Sequence, residues 1–211
     1  AYALASHAKA AAAIDNGAFK AEIVGVETPE GLFDIDDGVR RGGTMEAMAS
    51  VKTLEEGGTI TAANASQMTD GASGVLVASE AAIKRFNLKP MARIVNLTVT
   101  AGDPVIMLEE PIPATRRAFE RSGLSLHDID LFEVNEAFAA IPMAWLKAIG
   151  ADPAKLNVNG GAIALGHPLG ASGTKLMSTL IHALKARGKR YGLQTMCEGG
   201  GVANVTIVEA L

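Results

Sequence analysis

The chain has 211 residues, 48% of them hydrophobic and 20% charged, with a formal net charge of -4. That is enough apolar material for a substantial core in one or two domains, so disorder is excluded. The slightly acidic balance supplies no basic field for a nucleic-acid backbone or an anionic membrane surface, and small-molecule chemistry is the expectation.

Ala1 to Asn16 is alanine-rich, free of breakers and followed by Gly17, which predicts a helix. From Glu27 to Gly43, Thr-Pro, Glu-Gly, Asp-Gly and Gly-Gly pairs with Asp34, Asp36 and Asp37 predict a loop-rich layer. Thr44 can cap a short helix through Val51, and Thr59 to Asn64 reads as extended. Gly74 to Ala78 is a short apolar run expected to form a strand, and Ser79-Glu80 caps a helix to Phe86. Beyond Pro90 strand and helix alternate. Ala92–Thr100, Ile129–Val134 and Leu156–Asn159 are extended, separated by helices at Pro113–Ser122 and Ala137–Ile149; Pro142 predicts a kink or late start in the second helix. A helix over Ser172–Arg187 and strands at Tyr191–Met196 and Val202–Val208 complete a βαβαβαββ order. The fold class is therefore α/β, a mixed sheet covered by helices with its last two strands antiparallel.

Three polar groups fall at carboxyl ends of predicted strands, where open α/β sheets place their sites: Asn135, His167 and Cys197. His167 lies in a glycine-rich passage whose glycines let the main chain approach a ligand; a structural histidine in a tight connection is an equal reading from local sequence. Asn135 doubles as an N-cap for the helix predicted after it. Cys197, the only cysteine, precedes three glycines whose N–H groups could converge on an oxyanion, although a lone cysteine is more often a small buried hydrophobe. One thiol makes no internal disulfide and favours a reducing, cytoplasmic setting. The histidines His7, His127, His167 and His182 and this thiol lack paired zinc-ligand spacing, so no metal is expected. A phosphate-loop reading of Gly166 to Lys175 fails because Lys and Ser/Thr do not follow the final glycine in order. Lys185, Arg187, Lys189 and Arg190 read as cations complementing a helix C-terminus.

N-E-A-F at Asn135 to Phe138, G-G-A-I-A-L-G-H-P-L-G-A-S-G at Gly160 to Gly173, and C-E-G-G-G at Cys197 to Gly201 resemble the thiolases. N-A-S at Asn64 to Ser66 and D-G-A at Asp70 to Ala72 fit as well, in the family's order and spacing along the whole chain. The resemblance implies a thiolase-like fold of two βαβαβαββ halves plus a loop domain. Residues 1–67 then correspond to a loop-domain portion, 68–89 to the end of the N-terminal half and 90–211 to the C-terminal domain.

By the same resemblance His167 helps activate the nucleophile and polarises the thioester oxygen, with Asn135 holding a water in that oxyanion hole. Cys197 is the acid/base thiol acting on the α-carbon, and the Gly199 N–H serves a second oxyanion hole. Ser66 and Arg40 contact coenzyme A, at the pantetheine arm and near the nucleotide, while Met107 and Phe138 line the acyl pocket. The implied reaction is Claisen condensation or thiolysis of 3-ketoacyl-CoA, with coenzyme A and acetyl-CoA as substrates and no prosthetic group.

The acylated cysteine of the family has no counterpart here, because Cys197 matches the other thiol. The chain also lacks an initiator Met, so it is expected to be the C-terminal portion of a longer thiolase and inactive alone. Its partners would be CoA thioesters, the missing N-terminal half and a second copy or more, as homodimer or tetramer, with neither nucleic acid nor membrane. Two alternatives stand beside this: a non-catalytic CoA-ester binding protein on the thiolase fold, and a β-ketoacyl synthase-like condensing enzyme, which would characteristically carry His or Asn in place of Cys197.

Overall fold

The alanine-rich opening folds as helix α1 (Tyr2–Asp15), and the chain turns away at Gly17, whose φ of +74° suits glycine. The computed structural model describes residues 1–211. A loop-rich layer follows, holding a hairpin of β1 (Val26–Thr28) and β2 (Gly31–Phe33) and a short helix α2 (Met45–Ala49). Thr44 caps α2 by accepting from the Ala47 N–H at 3.2 Å, and Ser79 caps α3 (Glu80–Phe86) in the same way from Ala82 at 3.2 Å.

The remainder alternates as expected: β3 (Ala92–Ala101), α4 (Pro111–Ser122), β4 (Leu131–Val134), α5 (Ala140–Ile149), a single turn α6 (Ala162–Leu165), α7 (Ser172–Ala186), β5 (Tyr191–Glu198) and β6 (Val202–Ala210). The sheet order is β3-β6-β5-β4, with β4 parallel to β5 and β6 antiparallel to both its neighbours. One face packs Phe132, Val134, Leu193, Val205 and Ile207 against Ala114 and Ala118 of α4 and Trp145 of α5. The other packs Leu131 and Val208 against Leu180, Ala183 and Leu184 of α7. Gly192 lets α7 settle closely, since a Cβ there would lie 2.8 Å from a Leu184 methyl. No helix is long and apolar enough to cross a membrane.

Four local expectations are corrected. The apolar run Gly74–Ala78 has no strand partner, and Leu76 and Val77 stand exposed. Thr59–Asn64 forms only a single bridge, Thr53 to Thr61. Leu156–Asn159 is not a strand; it touches β4 through one bridge between Phe132 and Leu156. Helix α5 begins at Ala140 rather than Ala137, because residues 137–139 are tied by backbone bonds to 64–66: Ala65 bridges Phe138, and the Ala139 N–H donates to Asn64 O at 2.8 Å. Pro142 then sits in the first turn, where its missing N–H costs nothing.

The outer strand β3 leaves Leu97 57% and Val99 70% exposed on one face. Exposed apolar side chains on a sheet face, like those of the unpaired 74–78 segment, are of a kind that folded chains usually cover.

Glu133 shares the α7-side face of β4 with Leu131, alternating with Phe132 and Val134, and one carboxyl oxygen has no hydrogen-bond partner. Burial, reinforced by Glu136 and Glu22 and opposed by Lys175 and Lys9, pushes it up to about 8. The folded state therefore holds a proton that the unfolded chain releases near its ordinary value of 4.5, so stability falls as pH rises from there toward 8. Glu133→Gln is expected to remove this dependence. Thermal melts should show the variant more stable at pH 9, by on the order of a few kcal/mol, and the gain shrinking toward pH 5.

Candidate active site

β4 delivers Asn135 to the carboxyl rim of the sheet. The Asn135 N–H donates to Thr195 O on β5 at 3.0 Å, so the residue continues the parallel ladder one step past the strand. Its side chain does not cap α5. The Asn135 Nδ2 lies 3.2 Å from His167 Nε2, while Oδ1 is buried without a partner.

His167 follows α6 and precedes α7. Its Nδ1 is 2.5 Å from Ser172 Oγ, and that hydroxyl donates to Pro168 O at 2.9 Å. With its own hydrogen committed, Ser172 Oγ accepts from Nδ1–H, which leaves Nε2 as the free lone pair facing the Asn135 amide. Burial lowers the His167 pKa below its ordinary 6.5, so the ring is neutral near pH 7. A neutral imidazole with a defined tautomer and an open Nε2 is a general base in waiting.

Two residues to which the sequence assigned no role at the site hold this loop. The Gln67 carbonyl accepts the His167 N–H at 3.1 Å, and its Nε2 donates to Gly38 O and Ile163 O, each at 2.9 Å. Ser172, expected only as the start of a helix, fixes the imidazole. Sequence also misassigned several glycines. Gly160 and Gly161 are pressed against protein: a Cβ would lie 2.7 Å from Ser6 O at the first and 2.3 Å from the Glu136 carboxyl carbon at the second. Gly166 likewise makes room for Thr69. These glycines admit neighbouring chain, not ligand.

Cys197 lies within β5, paired with Ala203, and is buried. Burial and the charge of Glu198 raise its pKa, so the thiol is protonated at neutral pH. It makes no side-chain hydrogen bond to His167 or Asn135; the three share a rim through the Asn135–Thr195 backbone bond. Beyond it, Gly199 is exposed and its N–H takes part in no backbone bond, as an oxyanion donor requires. Gly200 and Gly201 adopt φ of +78° and +79°, and Gly201 O accepts from the Gly102 N–H at 2.8 Å.

Ser66 lines a cleft of about 390 Å³ with Gln67, Met68, Thr69, His167 and Leu169. Its N–H donates to Ala137 O at 2.9 Å, beside half-buried Phe138, so this pair is brought to the His167 side. Met107 sits in the 102–110 loop against the glycine turn, with an unusual φ of +59° for a residue with a side chain. Arg40 is apart from the cleft lining: it is exposed, its N–H donates to His7 Nδ1 at 3.1 Å, and its guanidinium has no ion-pair partner.

A neutral imidazole, a buried amide and a protonated thiol gathered at one rim of a mixed α/β sheet are equipment for moving protons and stabilising an oxyanion. The chain belongs to the thiolase family: residues 88–210 match the thiolase C-terminal domain and residues 1–81 the thiolase N-terminal domain. It is 59% identical over 210 residues to steroid 3-ketoacyl-CoA thiolase FadA6 of Mycobacterium tuberculosis, covering 100% of this chain and 51% of that protein. It is 46% identical over 216 residues to an acetyl-CoA acetyltransferase of Shinella zoogloeoides, covering 100% and 55%. Among solved structures, human mitochondrial 3-ketoacyl-CoA thiolase in complex with CoA superposes with a TM-score of 0.96 at 43% identity, covering 100% of this chain and 53% of that one. The chain thus spans about half the length of the curated relatives it matches.

The tautomer is directly testable. Nitrogen-15 NMR of the ring should show His167 protonated at Nδ1 and titrating below 6.5. Ser172→Ala should shift the population toward the Nε2–H form, by about fivefold or more for the loss of roughly 1 kcal/mol of hydrogen bonding.

Proposed function

We propose that this chain is the C-terminal portion of a thiolase that transfers acyl groups between CoA thioesters, by thiolysis of 3-ketoacyl-CoA or the reverse Claisen condensation. The observation that carries the proposal is the neutral His167, its Nε2 held 3.2 Å from the Asn135 amide at the rim that also bears Cys197. A thiolase needs a second, nucleophilic thiol, and this chain has one cysteine. The nucleophile is supplied by the N-terminal half, whose seat is the open apolar surface of β3 and the 74–78 segment. The complete protein works in the cytoplasm as a homodimer or tetramer.

In the thiolytic direction His167 Nε2 takes the proton of the nucleophilic thiol, which attacks the 3-keto carbon. The resulting imidazolium Nε2–H, with Asn135, then faces the thioester oxygen of the acetyl-CoA unit. Cleavage of the Cα–Cβ bond leaves an enolate on that unit, and the Cys197 S–H protonates its α-carbon. The Cys197 thiolate next removes the proton of incoming coenzyme A, whose sulfur attacks the acyl-enzyme carbonyl; the first thiol leaves as its thiolate and recovers its proton from the His167 imidazolium. The raised Cys197 pKa suits this order of events, since the acid form is the resting one. Gly199 N–H stabilises the tetrahedral oxyanion. Ser66 contacts the pantetheine arm from the cleft wall, Arg40 the nucleotide, and Met107 and Phe138 the acyl group.

The test is thiolysis by the full-length polypeptide with acetoacetyl-CoA and longer or bulkier 3-ketoacyl-CoA esters. Activity is expected, and His167→Ala and Cys197→Ala should each lower kcat by about 10²–10⁴-fold. Binding of CoA esters without turnover would instead identify a non-catalytic CoA-ester protein. Thiolysis by residues 1–211 alone, abolished by Cys197→Ala, would overturn the assignment of the nucleophile elsewhere.

The pH profile follows from the two shifts. His167 must be neutral and is lowered by burial, so the acid limb should fall below 6.5; Cys197 must be protonated and is raised, so the alkaline limb should lie above 9.0.

A further inference from the structure

Glu136 immediately follows Asn135, is buried, and has no cationic partner within ion-pair distance. Both its oxygens are nonetheless filled. Oε1 accepts from Tyr2 Oη at 2.9 Å and Asn157 Nδ2 at 3.0 Å; Oε2 accepts from Ser6 Oγ at 2.6 Å and the Ile163 N–H at 3.2 Å. Four donors and no acceptor surround the group, the arrangement that a carboxylate anion, and not an acid, satisfies.

The donors come from separate stretches of chain: α1, the 157 loop and α6. Helix α6 is one turn of four residues and cannot sustain itself, because a helical nucleus costs more than so few bonds return. Its first turn is held by Glu136, directly at Ile163 and through Ser6, whose Oγ accepts from the Gly161 N–H at 3.1 Å. Gln67 holds its other end. His167 begins two residues beyond α6 and returns to Asn135, which is bonded covalently to Glu136. The circuit Asn135–Glu136–Ile163–His167–Asn135 is therefore closed, and the carboxylate sets one of its sides.

We propose that Glu136 is a positioning residue for acyl transfer: its carboxylate sets the separation of Asn135 and His167 and ties that pair to helix α1. The inference rests on the acyl-transfer reading for its consequence in rate, and on geometry alone for its consequence at His167.

The experiment uses the full-length polypeptide. In Glu136→Gln an amide NH₂ must face either Ser6 and Ile163 or Tyr2 and Asn157, donor against donor. We expect kcat for acetoacetyl-CoA thiolysis to fall by about 10–100-fold, with KM for coenzyme A within about twofold. The His167 Nε2 resonance should move toward the position seen in Asn135→Ala. Trp145→Phe, a core change remote from the rim, should lower the melting temperature without moving that resonance. If Glu136→Gln does not fold, Ser6→Ala, which removes one donor, is read in the same way and should give a smaller shift in the same direction. A parental Nε2 resonance in the folded variant overturns the proposal, whether or not kcat falls, because loss of rate without displacement of His167 is a general structural effect. A moved resonance in a polypeptide whose parent shows no thiolysis leaves the positioning role standing and removes the acyl-transfer reading.

Discussion

The rim of the sheet depends on how one short strand is finished. β4 has four residues and lies at the edge, with β5 on one side only. On its open side Asn157, at φ +43°, presents its side-chain amide to a single residue: Oδ1 accepts from the Val134 N–H and Nδ2 donates to Val134 O, both at 2.9 Å. The Asn157 N–H also donates to Phe132 O at 2.9 Å. One residue thereby does the hydrogen bonding of a neighbouring strand, and its remaining amide hydrogen reaches Glu136. A buried edge without such a partner would leave backbone groups unsatisfied, at about 1–3 kcal/mol each. Because β4 is ended this way, Asn135 and Glu136 leave the sheet in opposite duties: one toward the imidazole, the other toward α1 and α6.

That arrangement also explains which parts of the fold could be read in the sequence. The alternation after Pro90 was legible because burying one side of a strand or helix imposes a period on its residues. Asn135 and Cys197 were legible as polar groups where strands end, whereas His167 was legible only from its glycine-rich passage: no strand leads into it, and it follows the single turn α6. The roles of Asn157, Glu136, Gln67 and Ser172 were not legible, even though Glu136 and Ser172 lie inside recognised motifs, since these residues act through partners 4 to 155 positions away. The extended reading of Leu156–Asn159 failed for a related reason. The stretch lies beside β4 as a strand would, but it bonds largely through a side chain. Gly160 and Gly161 were recognisable as unusual, while their cause, the approach of α1 and of a carboxylate, exists only once the chain is folded. The apolar 74–78 run shows the limit of composition: it has the residues of a strand and nothing beside it to pair with.

Burial sets the electrostatics of the rim more than any ion pair does. It lowers His167, raises Cys197 and raises Glu133. All three shifts favour the uncharged form, as a poorly solvated environment demands. The one carboxylate kept in this region as an acceptor of four hydrogen bonds is Glu136, held by neutral donors. An arginine or lysine in their place would have brought a mobile, strongly hydrated charge next to a histidine that must be neutral to act as a base. Hydroxyl, amide and backbone N–H donors stabilise the anion while adding no net positive charge beside the imidazole.

The same reasoning bears on the apolar surface of β3. A site that relies on uncharged resting forms needs water kept away, since solvation would return His167 and Cys197 toward their ordinary values. On this chain the cleft at Ser66 and His167 is walled on one side by the 66–69 and 167–169 segments, with Leu169 82% exposed. The exposed Leu97 and Val99 lie on the same sheet that carries Cys197. A further layer seated on that surface would bury apolar area at roughly 25 cal/mol per Å² and close the surroundings of the rim in the same act. Covering the sheet and tuning the acid and base are then one requirement.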